Sequence, residues 1–166
     1  MPAALSLGLS GTGFWHPETI GALSSACRRR AREGKRQRLE LAAFAPFFRV
    51  GEGSAAGAEE SRFDAESLAF LARMSEVYAA LKPYHVAVAA EYAASGLPPM
   101  RHPWVHYGAD PRALGLARQY LYGRDLMVAP ALGRSRAFTE LYLPDDAWVH
   151  LWTSRSFGRG KVAVES

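Results

Sequence analysis

The spacing of apolar residues changes at Gly96, and that change limits the folds open to this chain. Before it, Leu68, Leu71, Met74, Val77, Tyr78 and Leu81 recur at helical intervals on one face. After about Met127, Phe138-Thr139-Glu140-Leu141-Tyr142-Leu143 and Ala147-Trp148-Val149-His150-Leu151-Trp152 alternate as half-buried strands do. The first part therefore reads as βα-like and the last part as all-β.

Local signals fill in the elements. Pro2 to Leu9 predicts a short helix closed by Ser10-Gly11, and Gly13 to Glu18 a buried strand with its loop, because Phe14 and Trp15 favour strands. A helix from about Ser24 to Phe44 follows, weakened at Gly34 and stopped by Pro46. Phe47 to Val50 reads as a second strand, and Gly51 to Ser61 as a loop by composition. Asp64 is placed to cap the next helix, with Phe63 and Leu68 as a hydrophobic staple. Pro83 breaks or restarts that helix and Gly96 ends it. Beyond it, the expectations are an extended Met100 to Tyr107, a short helix from Pro111 to Leu121, and a strand over Leu126 to Ala129. Strands at 138–143 and 147–152 join at Pro144-Asp145-Asp146, and Lys161 to Val164 is one more strand.

Composition excludes some classes. The chain has 166 residues and a formal charge of +4, and no run approaches the roughly 18 apolar residues of a membrane helix. The start lacks a basic region and a cleavage site, so no signal peptide is expected. Cys27 is the single cysteine, which excludes an internal disulfide and fits a reducing, cytoplasmic compartment. Much of the positive charge lies in Arg28, Arg29, Arg30, Arg32, Lys35, Arg36 and Arg38. That run reads either as a phosphate-binding patch for nucleic acid or as the solvated face of a helix. The absence of interleaved stacking aromatics favours the solvated face.

Several longer motifs stand in a meaningful order. They are His16-Pro17-Glu18-Thr19-Ile20-Gly21, Phe44-Ala45-Pro46-Phe47-Phe48-Arg49, Leu81-Lys82-Pro83-Tyr84, Ser95-Gly96-Leu97-Pro98-Pro99-Met100-Arg101, Tyr122-Gly123-Arg124-Asp125-Leu126-Met127-Val128-Ala129-Pro130 and Leu143-Pro144-Asp145-Asp146-Ala147-Trp148. Together they resemble the C-terminal part of glycoside hydrolase family 31, the α-glucosidase and sulfoquinovosidase group, with the bacterial sulfoquinovosidase-like branch nearest. The resemblance implies an α/β fold: the last two βα units of a (β/α)8 barrel, then part of an antiparallel β-sandwich. It divides the chain into 1–96, the end of a catalytic barrel, and 97–166, a truncated sandwich domain.

The same resemblance implies a carbohydrate partner, an α-glycoside in the intact parent, with no cofactor, no metal and no membrane partner. Retaining glycosidases need two carboxylates about 5–5.5 Å apart. In this family both aspartates lie on barrel strands preceding the region matched here, so no catalytic residue is assigned. The expectation is a truncated or split piece, inactive by itself, with the missing N-terminal portion as a partner.

The substrate-binding candidates are His16, Glu18 and Arg49. Glu18 stands for the family's aspartate, and Gly51 for its histidine, which removes a hydrogen-bonding side chain. Arg49 is either a sugar ligand or a loop-orienting ion-pair partner. Two other classes remain open: a non-catalytic carbohydrate-binding or scaffold protein, and a basic nucleic-acid-binding helix at 28–38. His102 and His106 stand four apart, but Pro103 argues against the helix that would make them metal ligands.

Overall fold

The computed structural model describes residues 2–15, 28–49, 64–131 and 138–165. Four helices come first: α1 (Pro2–Leu9), α2 (Arg28–Ala43), α3 (Ala65–Ala80) and α4 (Lys82–Ser95). Seven strands follow: β1 (Met100–Arg101), β2 (Tyr120–Tyr122), β3 (Leu126–Val128), β4 (Phe138–Leu143), β5 (Trp148–Val149), β6 (Ser156–Phe157) and β7 (Gly160–Glu165). Among the described residues all the pairings are antiparallel: β1-β2-β3 form one sheet, β4 pairs with β7, and β5 pairs with β6.

Helix ends follow local chemistry. The Asp64 side chain accepts from the Ser67 amide at 2.8 Å and caps α3. Leu81 breaks the rod, and Pro83 sits in the first turn of α4, where its missing N–H costs nothing. Gly96 closes α4 at φ 75°, a left-handed conformation that glycine adopts freely. Of the expected staple, only Leu68 lies within the described residues, and Phe63 lies outside them. Leu68 is about half exposed, so it leaves the apolar face that Met74 anchors.

Two packed clusters carry the fold. Leu39, Ala43 and Met74 join α2 to α3, with Phe44, Phe48 and Phe70 against them. Leu5, Ala45, Met100, Tyr120 and Tyr122 form the other, covered by Trp15 and Tyr84. The second cluster welds α1 and the chain after α2 to the three-stranded sheet. At roughly 1.5–3 kcal/mol for each large apolar side chain buried, it ties the regions on either side of Gly96 into one body.

Several strand and helix expectations are not met. Residues 12–15 and 47–49 are in no ladder, although Phe14, Trp15, Phe47 and Phe48 are strong strand formers. Propensity describes a fit to a pleated surface; a ladder also needs a neighbour, and no described strand lies beside these segments. The extended 100–107 segment stops pairing after Arg101, because Pro103 has no N–H and begins a 3-10 turn over Pro103–Val105. The expected 111–121 helix shrinks to a 3-10 turn at Ala113–Gly115, while Tyr120-Leu121-Tyr122 is fully buried as β2. Pairing the backbone of β2 with β1 and β3, and burying its side chains, Tyr120 and Tyr122 against Leu5, Ala45 and Met100, outweighs the weak helical spacing. Trp148–Val149 is the paired part of 147–152. A turn follows it, reaching Ser154 at φ 55° and returning the chain to β6.

Candidate functional site

Phe14, two residues before His16, and Phe47, two residues before Arg49, touch with ring centroids 5.7 Å apart. Two segments 33 residues apart in the chain therefore meet where the candidate sugar-binding residues branch off. Both rings are nearly half exposed, and Arg49 is exposed. His16, Glu18 and Gly51 lie outside the described residues. The structure thus places Arg49 of the three candidates and brings together the stems on which His16 and Arg49 stand.

These stems lack ladder bonds, so side chains satisfy their backbone. The Tyr120 hydroxyl donates to the Phe44 carbonyl at 2.8 Å, and the Tyr78 hydroxyl to the Pro46 carbonyl at 3.0 Å. Tyr92 donates to the Gly11 carbonyl at 2.8 Å and accepts from the Gly13 amide at 3.1 Å. A Cβ at Gly13 would stand 2.5 Å from the Tyr92 ring, so only glycine permits that approach. Trp15 Nε1 is buried with no hydrogen-bond partner among the described residues.

An open apolar cavity of about 200 Å³ is lined by Phe14 and Pro46 of the stems together with His85, Val86, Ala89, Pro99 and Tyr122. His85 is the polar residue that organises it. Nε2 lies 3.1 Å from the Tyr78 carbonyl, which can only accept, so the proton is on Nε2. Nδ1 then accepts from the Tyr122 hydroxyl at 2.6 Å. Burial lowers the His85 pKa, opposed by the bond to the Tyr78 carbonyl, and the ring stays neutral near pH 7. Burial likewise pushes the Tyr120 and Tyr122 hydroxyls up, so they remain donors.

The joint after Gly96 is polar inside. Arg101 is wholly buried, and its guanidinium forks onto Glu91, reaching Oε1 at 3.3 Å and Oε2 more closely. Its Nε donates to the Pro98 carbonyl at 2.7 Å, and Nη1 donates to His106 Nε2 at 3.0 Å. Arg101 holds the Glu91 carboxyl below the ordinary carboxylate range. Burial, reinforced by the Arg101 charge, lowers the His106 pKa. His102 caps the following turn by accepting from the Trp104 amide at 3.2 Å. The two histidines serve separate local roles, and no group of three or more metal-ligating side chains occurs among the described residues.

Just before β2, the buried Gln119 side chain acts as one rung of a ladder alongside β4. Its Nε2 donates to the Tyr142 carbonyl at 2.6 Å, and its Oε1 accepts from the Tyr142 amide at 2.9 Å. The Tyr142 hydroxyl donates to Asp110 at 2.6 Å and accepts from Arg159 Nε at 3.2 Å. The Tyr107 hydroxyl donates to Asp146 at 3.2 Å, and burial together with that carboxylate pushes its pKa up to about 12. The side chains of 28–35 lie outside the described residues. Of the basic run, Arg36 pairs with Glu66 at 3.4 Å and stacks on Phe70.

This arrangement matches known proteins along its whole length. Residues 96–165 match the glycosyl hydrolase family 31 C-terminal domain. The sulfoquinovosidase of Escherichia coli (strain K12) is 40% identical over all of this chain. The chain belongs to glycoside hydrolase family 31. The sulfoquinovosidase of Agrobacterium fabrum is 36% identical over 98% of it, and the chain spans about a quarter of the length of both relatives. A solved family-31 sulfoquinovosidase from E. rectale, in complex with an aza-sugar inhibitor, superposes with a TM-score of 0.85. It is 33% identical, covering 98% of this chain and 25% of that one. The family-31 expectation and its sulfoquinovosidase leaning are borne out. No described helix is long and apolar enough to cross a membrane.

Sequence reasoning missed Tyr78, Tyr92 and Tyr120, the residues that secure the stems. Their signal was faint: a tyrosine on an apolar face carries a hydroxyl that needs a partner, but nothing local names it.

Proposed function

We propose that this chain forms the closing part of a retaining family-31 α-glycosidase, with 1–96 ending the (β/α)8 barrel and 97–166 beginning the sandwich. In this reading it supplies one wall of the sugar site, through His16, Glu18 and Arg49, and leaves bond cleavage to the aspartates of the preceding barrel strands. The observation that carries it is that all of this chain matches about a quarter of the E. coli sulfoquinovosidase, with 96–165 matching the family's C-terminal domain. The Phe14–Phe47 contact supports it, since two adjacent barrel strands would meet in this way. The substrate class is an α-glycoside, with α-sulfoquinovosides favoured by the two curated relatives.

Without the paired carboxylates, neither a covalent glycosyl intermediate nor protonation of the leaving oxygen is available. Purified chain is therefore expected to leave aryl α-glucosides and aryl α-sulfoquinovosides intact, and measurable turnover by homogeneous protein would sink the reading. The sugar-wall role has its own test, a titration with methyl α-sulfoquinovoside followed by NMR. Shift changes at the Arg49 side chain, lost in Arg49→Gln, are expected. Absence of any change would assign Arg49 to loop orientation instead.

A further inference from the structure

The segment from Phe44 to Arg49 has no sheet neighbour among the described residues, yet its path is specified from several directions. The Phe44 carbonyl receives the Tyr120 hydroxyl from β2, and the Pro46 carbonyl receives the Tyr78 hydroxyl from α3. The Phe48 ring packs on the Tyr78 ring at 5.4 Å, and the Phe47 ring on Phe14. Two backbone carbonyls of the stem, those of Phe44 and Pro46, are therefore bonded by side chains from distant elements, and two of its rings pack on distant aromatics. We propose that Tyr78 and Tyr120 are positioning residues for Arg49, their hydroxyls setting where the Arg49 side chain leaves the body of the protein.

Three features carry this. Tyr120 is wholly buried and cannot exchange its partner for water. Its burial keeps the hydroxyl protonated and donating throughout the neutral range. Tyr78 is itself held, because its carbonyl accepts from His85 Nε2 and its ring lies 4.2 Å from the His85 ring. Two hydroxyls, separated by 42 positions in sequence, thus fix carbonyls two residues apart. The consequence for sugar binding rests on the reading of Arg49 as a ligand; the positioning itself does not.

The test removes oxygen atoms and little else. In the double variant Tyr78→Phe/Tyr120→Phe, both rings keep their packing. Backbone 15N order parameters at Phe47, Phe48 and Arg49 should drop from about 0.85 to below about 0.6. Those of α3 and α4 should stay where they are. Tyr107→Phe, which removes a hydroxyl from a different contact, should leave 47–49 unchanged. Either a double variant with unaltered order at 47–49, or one in which order falls evenly along the chain, overturns the proposal. Methyl α-sulfoquinovoside then separates the two readings. Affinity about tenfold weaker in the double variant supports positioning of a ligand. If the unsubstituted chain does not bind the sugar, the ligand reading fails and the relaxation result still decides the positioning.

Discussion

The residues before Gly96 and those after it solve the same problem differently. Every backbone N–H and C=O removed from water needs a partner. After Gly96, strands provide it: β4 and β7 pair in register from Phe138↔Glu165 to Leu143↔Gly160. Before Gly96, helices satisfy themselves, but the stems at 12–15 and 44–49 rely on tyrosine hydroxyls. A ladder distributes its load over many equivalent bonds, whereas the stems depend on a few individual atoms. Single substitutions should therefore act locally and sharply wherever one side chain holds the backbone, and be better tolerated within the β4–β7 ladder.

The strongest way to break that contrast is at the joint where the regions meet. Gly123 holds φ 62°, and a Cβ there would stand 2.3 Å from the Tyr84 hydroxyl and 2.7 Å from Val88. Gly123→Ala should destabilise by about 3 kcal/mol, combining left-handed strain with overpacking. A urea titration would show it as a lowered midpoint; a shift under about 1 kcal/mol would mean that α4 yields easily. Next, Gln119→Leu strips the side-chain rung from Tyr142 and leaves its buried amide and carbonyl unpaired. A loss of about 2 kcal/mol is expected. An unchanged midpoint would show that β4 draws nothing from this link.

The smallest effect expected is with pH. His85, His102 and His106 all have pKa values lowered by burial in the folded protein. Between the folded value and the ordinary one of about 6.5, the unfolded chain holds more protons, so stability rises with pH. Stability should be level above about pH 6.5 and fall as pH drops below it. The lowered carboxyls of Glu91 and Asp110 act in the same direction at lower pH, near the ordinary carboxylate range. Urea midpoints at pH 7.5 and 5.5 therefore isolate the histidines. A higher midpoint at pH 5.5 would contradict their burial as neutral rings.

Legibility followed the range of the interaction. The Asp64 cap and the Gly96 stop were readable because cause and effect lie within one turn of helix. The strands expected around Phe14 and Phe47 were not realised in the described residues, because propensity marks a surface and says nothing of who pairs with it. The segment 111–121 misled for a related reason: Tyr120 to Tyr122 gain more from burial in the core while pairing with β1 and β3 than from continuing a helix. Of the site, Arg49 was named from its motif, but the hydroxyls that hold its stem act across 32 and 76 residues of sequence. The family was legible throughout, since ordered motifs survive where individual contacts cannot be foreseen.

The tyrosine contacts also govern how this chain can diverge. A hydroxyl that donates to a carbonyl reads the backbone and ignores the side chain of the residue it touches. Phe44 is thus free, as far as the Tyr120 bond is concerned, to become any residue that still fills its niche. Tyr120 has no such latitude, because no other side chain delivers an O–H to that depth. The donors of the pair carry the constraint, and the acceptors remain open to drift.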